Sequence, residues 1–525
     1  MDIGYNAARI LYLPFELWGS VCQWLKKDDI RSTRLACRLF NEVASPFLLQ
    51  RVWISSNSED QKTLTAISLH QIFSKYVKEI YYDSTIYDPD LLSIFNDDRS
   101  YRKYIRRFLK DRSRTIWPKN ALRYAISQYK ARCKEQIELQ AYEGAHLMRS
   151  SDAPPNFGSL LTAAKGSEEV PHRLDVDTFD RYLPADLLCL LRALQRMPSV
   201  RNFGISDRRW SESKYWWHDC REYATFCDLN DKSNIVHSET VRSRQTVQIH
   251  PQHWPHNAGW HAVDWEHSRL WYRGFYVLTQ AASMLNLKQL RSFVTDSAKQ
   301  GISYTVLDMA STELMHTCNA FRHLATISLQ IDTQNGNSQW NWIKFLGGGN
   351  VALMLTAAQG LKHLDLGFDM PYTEIRELAK LLGHLAWPCL QHVGLSNMIL
   401  EEDELVAFLT RHISTLESIS LDYMILSKHH PQDRIFEDWT PKSWKGAFRS
   451  MSVLALNNLC ISIPLSDGEP RSTRGYWHSD DPAKVNRFLA SGGHTGFAEN
   501  ELQYDREQQR QWLQAQWEYE NLDRE

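Results

Sequence analysis

The sequence predicts an α/β protein in which a short unit of three helices precedes a solenoid built from alternating strands and helices. The first observation is a set of apolar residues that recur at every fourth position around Pro14. The second is a phrase of the form Leu-x-x-Leu-x-Leu that returns several times in the second half of the chain. A strand and a helix cannot bury both of their apolar faces alone, so repeated units of this kind stack side by side.

Three short helices are predicted at the N-terminal end of the chain. Pro14 suits the first position of a helix, where its missing N–H is harmless. Asp28 or Asp29 is predicted to cap the second helix, and the third should stop before Pro46. The apolar stripe of the first helix consists of Leu13, Leu17, Val21 and Leu25. Three helices in roughly forty residues enclose too small a core to be stable alone, so this unit is expected to need a partner surface.

The same segment, residues 10–53, resembles an F-box. The residues that carry the resemblance are Leu13-Pro14-Phe15-Glu16-Leu17, Asp29-Ile30 and Leu35-Ala36-Cys37-Arg38-Leu39-Phe40. The resemblance implies docking on a Skp-type adaptor, which joins a cullin complex in a ubiquitin ligase. The positions that it assigns to adaptor binding are Leu13, Pro14, Leu17, Val21, Leu25, Ile30, Leu35 and Cys37. A helical hairpin that packs only on its own protein is the alternative.

The repeated phrase predicts short buried strands. Its clearest copies are Leu361/Leu364/Leu366, Leu390/Val393/Leu395, Leu416/Ile419/Leu421 and Met451/Leu454/Leu456, and their first residues are 29, 26 and 35 positions apart. Weaker copies are Leu324/Ile327/Leu329, Val200/Phe203/Ile205 and Val77/Ile80/Tyr82. Helices are predicted between the clear copies, over 374–386 and 404–412. Residues 181–495 therefore resemble the irregular leucine-rich repeats of F-box proteins from filamentous fungi, and a nonrepetitive α/β domain is the alternative.

Side chains alternate across a strand, so the residues between the buried leucines should point outward and are candidates for binding a cargo protein. The strongest candidates are His363, Asp365, His392, Ser396, Ser418, Ser420, Asp422 and Asn457. The same alternation places Gly367, Gly394, Val453 and Ala455 on this face. A solvated face without a ligand is the alternative for each single residue.

Three further segments interrupt or flank the repeats. Residues 54–180 are predicted to be a helical connecting region with an exposed loop near 145–170, and residues 496–525 a charged C-terminal tail. An insertion over about 207–269 is rich in tryptophan and histidine, which either anchor cargo or pack the insertion onto the solenoid. Its histidines lack the spacing of a metal site.

Two patterns suggest other functions but have simpler local explanations. Gly347-Gly348-Gly349-Asn350-Val351-Ala352 fits the Gly-x-Gly-x-x-Ala form of a dinucleotide site, yet regular strand and helix alternation does not precede it. We therefore expect a glycine-rich repeat loop. Cationic and aromatic residues alternate over 102–114, as in some nucleic-acid sites. Their helical spacing favours an amphipathic helix instead.

Composition narrows the functional classes. The formal net charge of −2 gives no global attraction to nucleic acid or membrane, and no apolar run approaches the length needed to cross a bilayer. The 9 cysteines are scattered and never form Cys-x-x-Cys, which argues for a cytoplasmic and/or nuclear protein without a zinc site. We expect no cofactor, no metal and no catalysis, and a substrate adaptor that joins an unknown cargo protein to a ubiquitin ligase. The alternative is a non-catalytic repeat scaffold outside a ligase.

Overall fold

The computed structural model describes residues 14–83, 134, 183–206, 273–296, 302–303, 309, 311–332, 349–368, 373–374, 378–384, 386–422, 424–427, 442–464, 474–479 and 481–491. The chain divides into two compact units. Unit 1 comprises Met1–Leu290 and Asp296–Ala298, and unit 2 comprises Arg291–Thr295 and Lys299–Glu525. This division falls inside the segment 181–495 that the sequence predicts as one repeat domain.

Unit 1 begins with three helices, α1 (Phe15–Trp24), α2 (Lys27–Ala36) and α3 (Arg38–Ala44), and a single 3-10 turn (Ser45–Phe47). Pro14 is the N-cap of α1, so the predicted start is correct to within one residue. The prediction that Asp28 or Asp29 caps α2 is wrong, because the helix already begins at Lys27. The rings of Trp18 and Phe40 meet edge to face at 4.6 Å and join α1 to α3.

A parallel sheet of three strands follows in unit 1. Its elements in chain order are β1 (Arg51–Ile54), α4 (Ser58–Leu69), α5 (Phe73–Tyr76), β2 (Glu79–Asp83), α6 (Ala185–Leu194), β3 (Asn202–Ser206) and α7 (Arg273–Met284). Strand β2 pairs with β1 on one side and with β3 on the other. The two weak phrases that end at Tyr82 and Ile205 are therefore strands, as predicted. Alternation of strands and helices starts at Arg51, so the expected helical connection over 54–180 already contains β2.

A buried ion pair connects α6 to the start of α7. Arg273 donates from Nε to Asp186 Oδ2 at 2.6 Å and from Nη2 to Oδ1 at 2.7 Å, and the Tyr82 hydroxyl donates to Oδ2 at 2.8 Å. Burial raises the pKa of the Asp186 carboxyl to about 6, while the bonds from Tyr82 and the Leu187 amide act in the opposite direction. The carboxylate is thus ionised at neutral pH and partners the guanidinium. This cluster fixes residue 273 against β2.

Unit 2 repeats a strand and a helix along the chain. Its elements are β4 (Ser292–Asp296), β5 (Ile302–Ser303), α8 (Ser311–Phe321), β6 (Thr326–Asp332), α9 (Asn350–Ala357), β7 (His363–Phe368), β8 (Thr373–Glu374), α10 (Leu378–Leu382), β9 (His392–Ser396), β10 (Met398–Glu401), α11 (Glu402–Arg411), β11 (Ser418–Asp422), β12 (Ile425–Ser427), α12 (Lys442–Met451), β13 (Asn458–Pro464), β14 (Arg474–Ser479) and α13 (Pro482–Ala490). The order in its main sheet is β4-β6-β7-β9-β11-β13-β14, parallel except for β14, and β8, β10 and β12 form a second sheet.

Equivalent positions of the clear phrases lie side by side. Leu364 pairs with Val393 and Val393 with Ile419, and the third position of each phrase is in the same register. The first leucine of each phrase is buried in the turn before its strand. Pairing in register turns the periodic apolar residues of the sequence into a continuous buried layer.

Two predictions about these elements are wrong. Met451 ends α12 and Leu454 precedes the strand, so the last phrase is Leu456/Leu459/Ile461 instead. The bounds of the helix predicted over 374–386 are wrong, because residue 374 belongs to β8 and α10 ends at Leu382. In the first case a local apolar pattern was assigned to the wrong side of a turn.

Several predicted segments lie outside the described residues. They are the loop near 145–170, the basic run over 102–114, the insertion over 207–269 and the tail over 496–525. In the glycine-rich loop, Gly349 is described: its φ of 79° is left-handed, and it is the N-cap of α9. Of the helices within the described ranges, none is long and apolar enough to cross a membrane.

Candidate functional site

The first candidate site is an exposed apolar surface on α1 and α2. Leu17, Val21 and Trp24 share one side of α1, while Phe15 is exposed at the start of α1 and Leu35 near the end of α2. We call these five exposed side chains the α1–α2 surface. Trp24 is 89% exposed and Leu35 is 87% exposed, although both are residues that proteins usually shelter from water. Large apolar side chains that remain exposed on one side of a helix, as Leu17, Val21 and Trp24 do, are typical of interaction sites.

The helical periodicity of α1 explains why this surface forms. Trp18 is partly buried and Cys22 is fully buried, whereas Leu17 and Val21, one position before each of them, are exposed. Two residues of the predicted stripe, Leu17 and Val21, are thus exposed on α1, while Leu25 is its half-buried C-cap residue. Burial raises the pKa of the Cys22 thiol, as expected for a cysteine that packs in a core.

The structure separates the predicted adaptor-binding positions into accessible and inaccessible residues. Pro14, Leu17, Val21, Leu35 and Cys37 are exposed, Leu25 is half-buried and Leu13 lies outside the described residues. Ile30 is only 2% exposed, so its side chain packs inside the helical unit and does not lie on the surface.

The second candidate site is the outward face of the main sheet in unit 2. Alternation and register place His363, His392 and Ser418 in one row, Asp365, Gly394 and Ser420 in the next, and Gly367, Ser396 and Asp422 in a third. These nine predicted positions therefore share one face. The placement of Asn457 on this face is wrong, because Asn457 lies in the turn before β13 and Asn458 pairs with Ser418. Val453 and Ala455 also precede the strand.

Three of these residues form a hydrogen-bonded chain across β7, β9 and β11. His392 Nε2 lies 3.1 Å from Asp365 Oδ1, and His392 Nδ1 lies 2.6 Å from Ser418 Oγ. The order of carboxylate, imidazole and hydroxyl is that of a nucleophilic triad. An acyl-transfer site also needs N–H donors for the oxyanion, and the Ser418 amide is already bonded to Gln391 O at 3.0 Å. The arrangement is better suited to holding His392 in one orientation.

An open groove of about 160 Å³ lies over the second and third rows. Its polar groups include the Asp365 and Asp422 carboxylates and the Ser396 and Ser420 hydroxyls. A Cβ at position 394 would collide with the Asp365 carboxylate, which lies across Gly394, unless that side chain moved. A Cβ on Gly367 would similarly collide with Ser396 and Gln330. The two glycines therefore let neighbouring polar side chains lie low on the sheet.

Sequence reasoning missed the part of the groove that β4 and β6 contribute. The groove is also lined by Thr295, Ser328 and Gln330. Thr295 Oγ1 accepts a hydrogen bond from the backbone N–H of Gln330 at 2.6 Å. The weak phrase ending at Leu329 was a sufficient signal, because Ser328 and Gln330 alternate with its buried residues. A further phrase that begins at Leu290 and includes Phe293 gave no separate signal in the sequence.

Within the part of the chain that the structure describes, no group of three or more His, Cys, Asp or Glu side chains is placed to hold a metal ion. Comparison of the chain with protein-family models, with curated proteins and with solved structures finds no match. The functional argument therefore depends on the geometry of these two sites.

Proposed function

We propose that this protein is a substrate-recognition adaptor of a Skp-cullin-F-box type ubiquitin ligase. In this proposal α1, α2 and α3 are an F-box that binds a Skp-type subunit, and unit 2 is an irregular leucine-rich-repeat region that binds the cargo protein. The chain itself performs no bond chemistry. It raises the effective concentration of cargo lysines near a recruited ubiquitin-conjugating enzyme.

The α1–α2 surface is the observation that carries the proposal. The F-box resemblance assigns Leu17, Val21 and Leu35 to the adaptor, and these are side chains that the fold leaves exposed. Burying one such side chain completely contributes about 1.5–3 kcal/mol. A partner that covered the whole surface would therefore gain a substantial part of its binding free energy there.

The outward face of unit 2 supports the cargo-binding half of the proposal. Parallel strands paired in register hold the polar side chains of this face at fixed backbone spacing, so the face presents several hydrogen-bonding groups in a defined arrangement. The competing possibility is a repeat scaffold whose α1–α2 surface never meets a cullin complex.

The test is the double substitution Leu17→Asp/Leu35→Asp in the full chain. Both side chains are exposed, so the charges should leave folding intact while placing unpaired carboxylates in the proposed interface. We expect loss of copurification with the Skp-type adaptor and an unchanged melting temperature. Leu69→Asp is the matched control, because Leu69 is 60% exposed on α4 and outside the α1–α2 surface.

Undiminished adaptor binding by the double variant would overturn the proposal. Point substitutions are preferable to deletion of residues 1–55, because that deletion would also remove β1 from its pairing with β2. Substitution at Ile30 is equally unsuitable, since that side chain is part of the core.

A further inference from the structure

We propose that a cluster of exposed cationic side chains on unit 1 binds an acidic segment of a partner protein. The cluster lies where the chain runs from α5 into β2 and, beside it, from α6 into β3. We call it the basic surface, and its members are Lys75, Tyr76, Lys78, Arg196 and Arg201. It shares no residue with the α1–α2 surface or with the outward face of unit 2, so the inference goes beyond the proposed function.

Backbone hydrogen bonds hold the two turns of the basic surface side by side. The N–H groups of Arg201 and Asn202 both donate to Lys78 O, at 2.8 and 3.1 Å. The Ser199 hydroxyl donates to Lys75 O at 2.6 Å. Lys78 and Arg201 therefore lie at the starts of two paired strands, which are about 4.8 Å apart in a sheet. The pairing that builds the sheet thus brings these cations together.

The basic surface concentrates positive charge. Its two lysines and two arginines are exposed, and none of the four forms an ion pair within the part of the chain that the structure describes. The acid that follows Lys78 in the sequence is Glu79, and its carboxylate is already engaged. It accepts from Arg51 Nε at 2.7 Å and from Asn202 Nδ2 at 3.3 Å. Like charges on neighbouring strands repel each other, and a bound anion would remove that repulsion.

The fold does not require cations at these positions. Lys78 and Arg201 directly precede their strands, and the same position in unit 2 holds cationic, neutral and acidic residues. In chain order these are Arg291, Ala325, Lys362, Gln391, Glu417 and Asn457. The same backbone bond forms with an acid, since the Glu417 N–H donates to Gln391 O at 2.8 Å. The positive charge of the basic surface therefore has no structural purpose in the turn and indicates a ligand of opposite charge.

The extent of the basic surface favours a short acidic peptide over a nucleic acid. Nucleic-acid sites combine a row of phosphate contacts with several aromatic side chains on which bases stack. The basic surface offers a single aromatic ring, Tyr76, which is 41% exposed. Carboxylates at alternate positions of an extended peptide are about 6.6 Å apart, within reach of long cationic side chains on adjacent strands. The formal net charge of −2 also gives the chain no overall attraction to a polyanion.

The experiment measures binding of a rhodamine-labelled peptide, GSEGEGEGEGS, to the full chain by fluorescence anisotropy at low ionic strength. A peptide in which glutamine replaces every glutamate keeps the length and the polarity and removes the charge. An exposed ion pair changes an equilibrium constant by a factor of roughly 1.4–5. With several pairs lost together, we expect the glutamine peptide to bind about tenfold more weakly. Added salt should weaken the glutamate peptide alone, because it screens exposed charges.

Two protein variants locate the binding site. Lys78→Gln/Arg201→Gln should weaken the glutamate peptide by about fivefold, the factor for two lost exposed pairs. Its melting temperature should not fall, because the substitutions remove repulsion and break no ion pair between described residues. Lys75→Gln/Arg196→Gln removes the other two charges and should weaken the peptide to a similar extent.

Arg449→Gln/Arg487→Gln is the matched control. It also removes two positive charges from exposed positions, but these lie on α12 and α13 of unit 2. The control should bind the glutamate peptide as the wild type does, which separates a local site from the effect of net charge.

Equal binding of the glutamate and glutamine peptides would overturn the inference, and so would equal weakening by the control and by both variants of the basic surface. A short single strand of deoxythymidine is measured in parallel. If it binds more tightly than the glutamate peptide and the same variants weaken it, the ligand is a nucleic acid and the proposed partner is wrong. Adaptor copurification in the Leu17→Asp/Leu35→Asp test decides the ligase role separately, because neither residue belongs to the basic surface.

Discussion

His412 provides a test of how the core of unit 2 is held together. Its side chain is 1% exposed, at the end of α11. Nδ1 lies 2.9 Å from Phe408 O, and Nε2 accepts from the Trp387 amide at 3.1 Å. Because the amide is always a donor, Nε2 must be unprotonated and Nδ1 must carry the hydrogen. The neutral ring also stacks on Trp387 with 5.6 Å between centroids.

Protonation of His412 is therefore incompatible with the folded arrangement. Burial lowers the pKa of His412, and the nearby Arg411 acts in the same direction, while the bond to Phe408 O opposes them. The unfolded chain, with an ordinary histidine pKa near 6.5, then binds more protons than the folded chain below that pH. Stability from this residue is fully present above pH 6.5 and is lost as the pH falls, by up to about 1.4 kcal/mol per pH unit.

The perturbation that tests this reasoning is His412→Gln. Glutamine can accept a hydrogen bond from the Trp387 amide but does not titrate. The free energy of unfolding of the variant should therefore be about 1–3 kcal/mol below that of the wild type at pH 7.5. On further acidification the variant should lose less stability than the wild type does. Urea unfolding followed by circular dichroism at pH 7.5 and 5.5 measures the difference. Leu409→Ala is the matched control, because it should cost about 2–5 kcal/mol without removing a titrating group. The reasoning fails if His412→Gln retains the full pH dependence of the wild type.

Two further predictions concern contacts that hold elements together. Asp186→Asn should destabilise unit 1 by about 3–5 kcal/mol, because Arg273 would remain buried without its carboxylate, and thermal unfolding measures the loss. Replacing both residues with apolar ones should recover much of that stability, and no recovery would contradict this explanation. Asn397→Ala should cost about 2–4 kcal/mol, because it removes the 2.6 Å bond from Asn397 Nδ2 to Phe368 O and strains a backbone with φ of 61°. Asn397→Gly should cost less in urea unfolding, since glycine adopts this φ freely, and an equal cost would show that strain is unimportant.

Local patterns in the sequence were sufficient for several strands and helices, but not for every element or for all boundaries. The spacing of Leu361, Leu364 and Leu366 predicted β7 correctly because buried residues alternate within a strand. The same kind of pattern misplaced the last strand, since Leu454 and Leu456 occupy a turn that also needs apolar residues. Periodicity shows that a residue is buried without showing which side of a turn it occupies.

The structural role of His412, at the end of α11, could not be predicted from the sequence. His412 is the last residue of the helix that the sequence predicts over 404–412. Only the fold reveals that His412 bonds to the amide of Trp387, which is 25 positions earlier in the chain. A contact between residues so far apart in the chain has no local signal in the sequence.

The sequence by itself determined the α/β class, the three N-terminal helices and most of the outward residues of β7, β9 and β11, because helix and strand periodicities are local properties of the chain. The tertiary structure decided which apolar stripes stay exposed, since Leu17 and Ile30 differ in burial and not in chemical type. It also decided the groove, whose lining extends from Thr295 to Asp422. Parallel pairing in register brings those distant residues together, and register depends on the packing of the whole sheet.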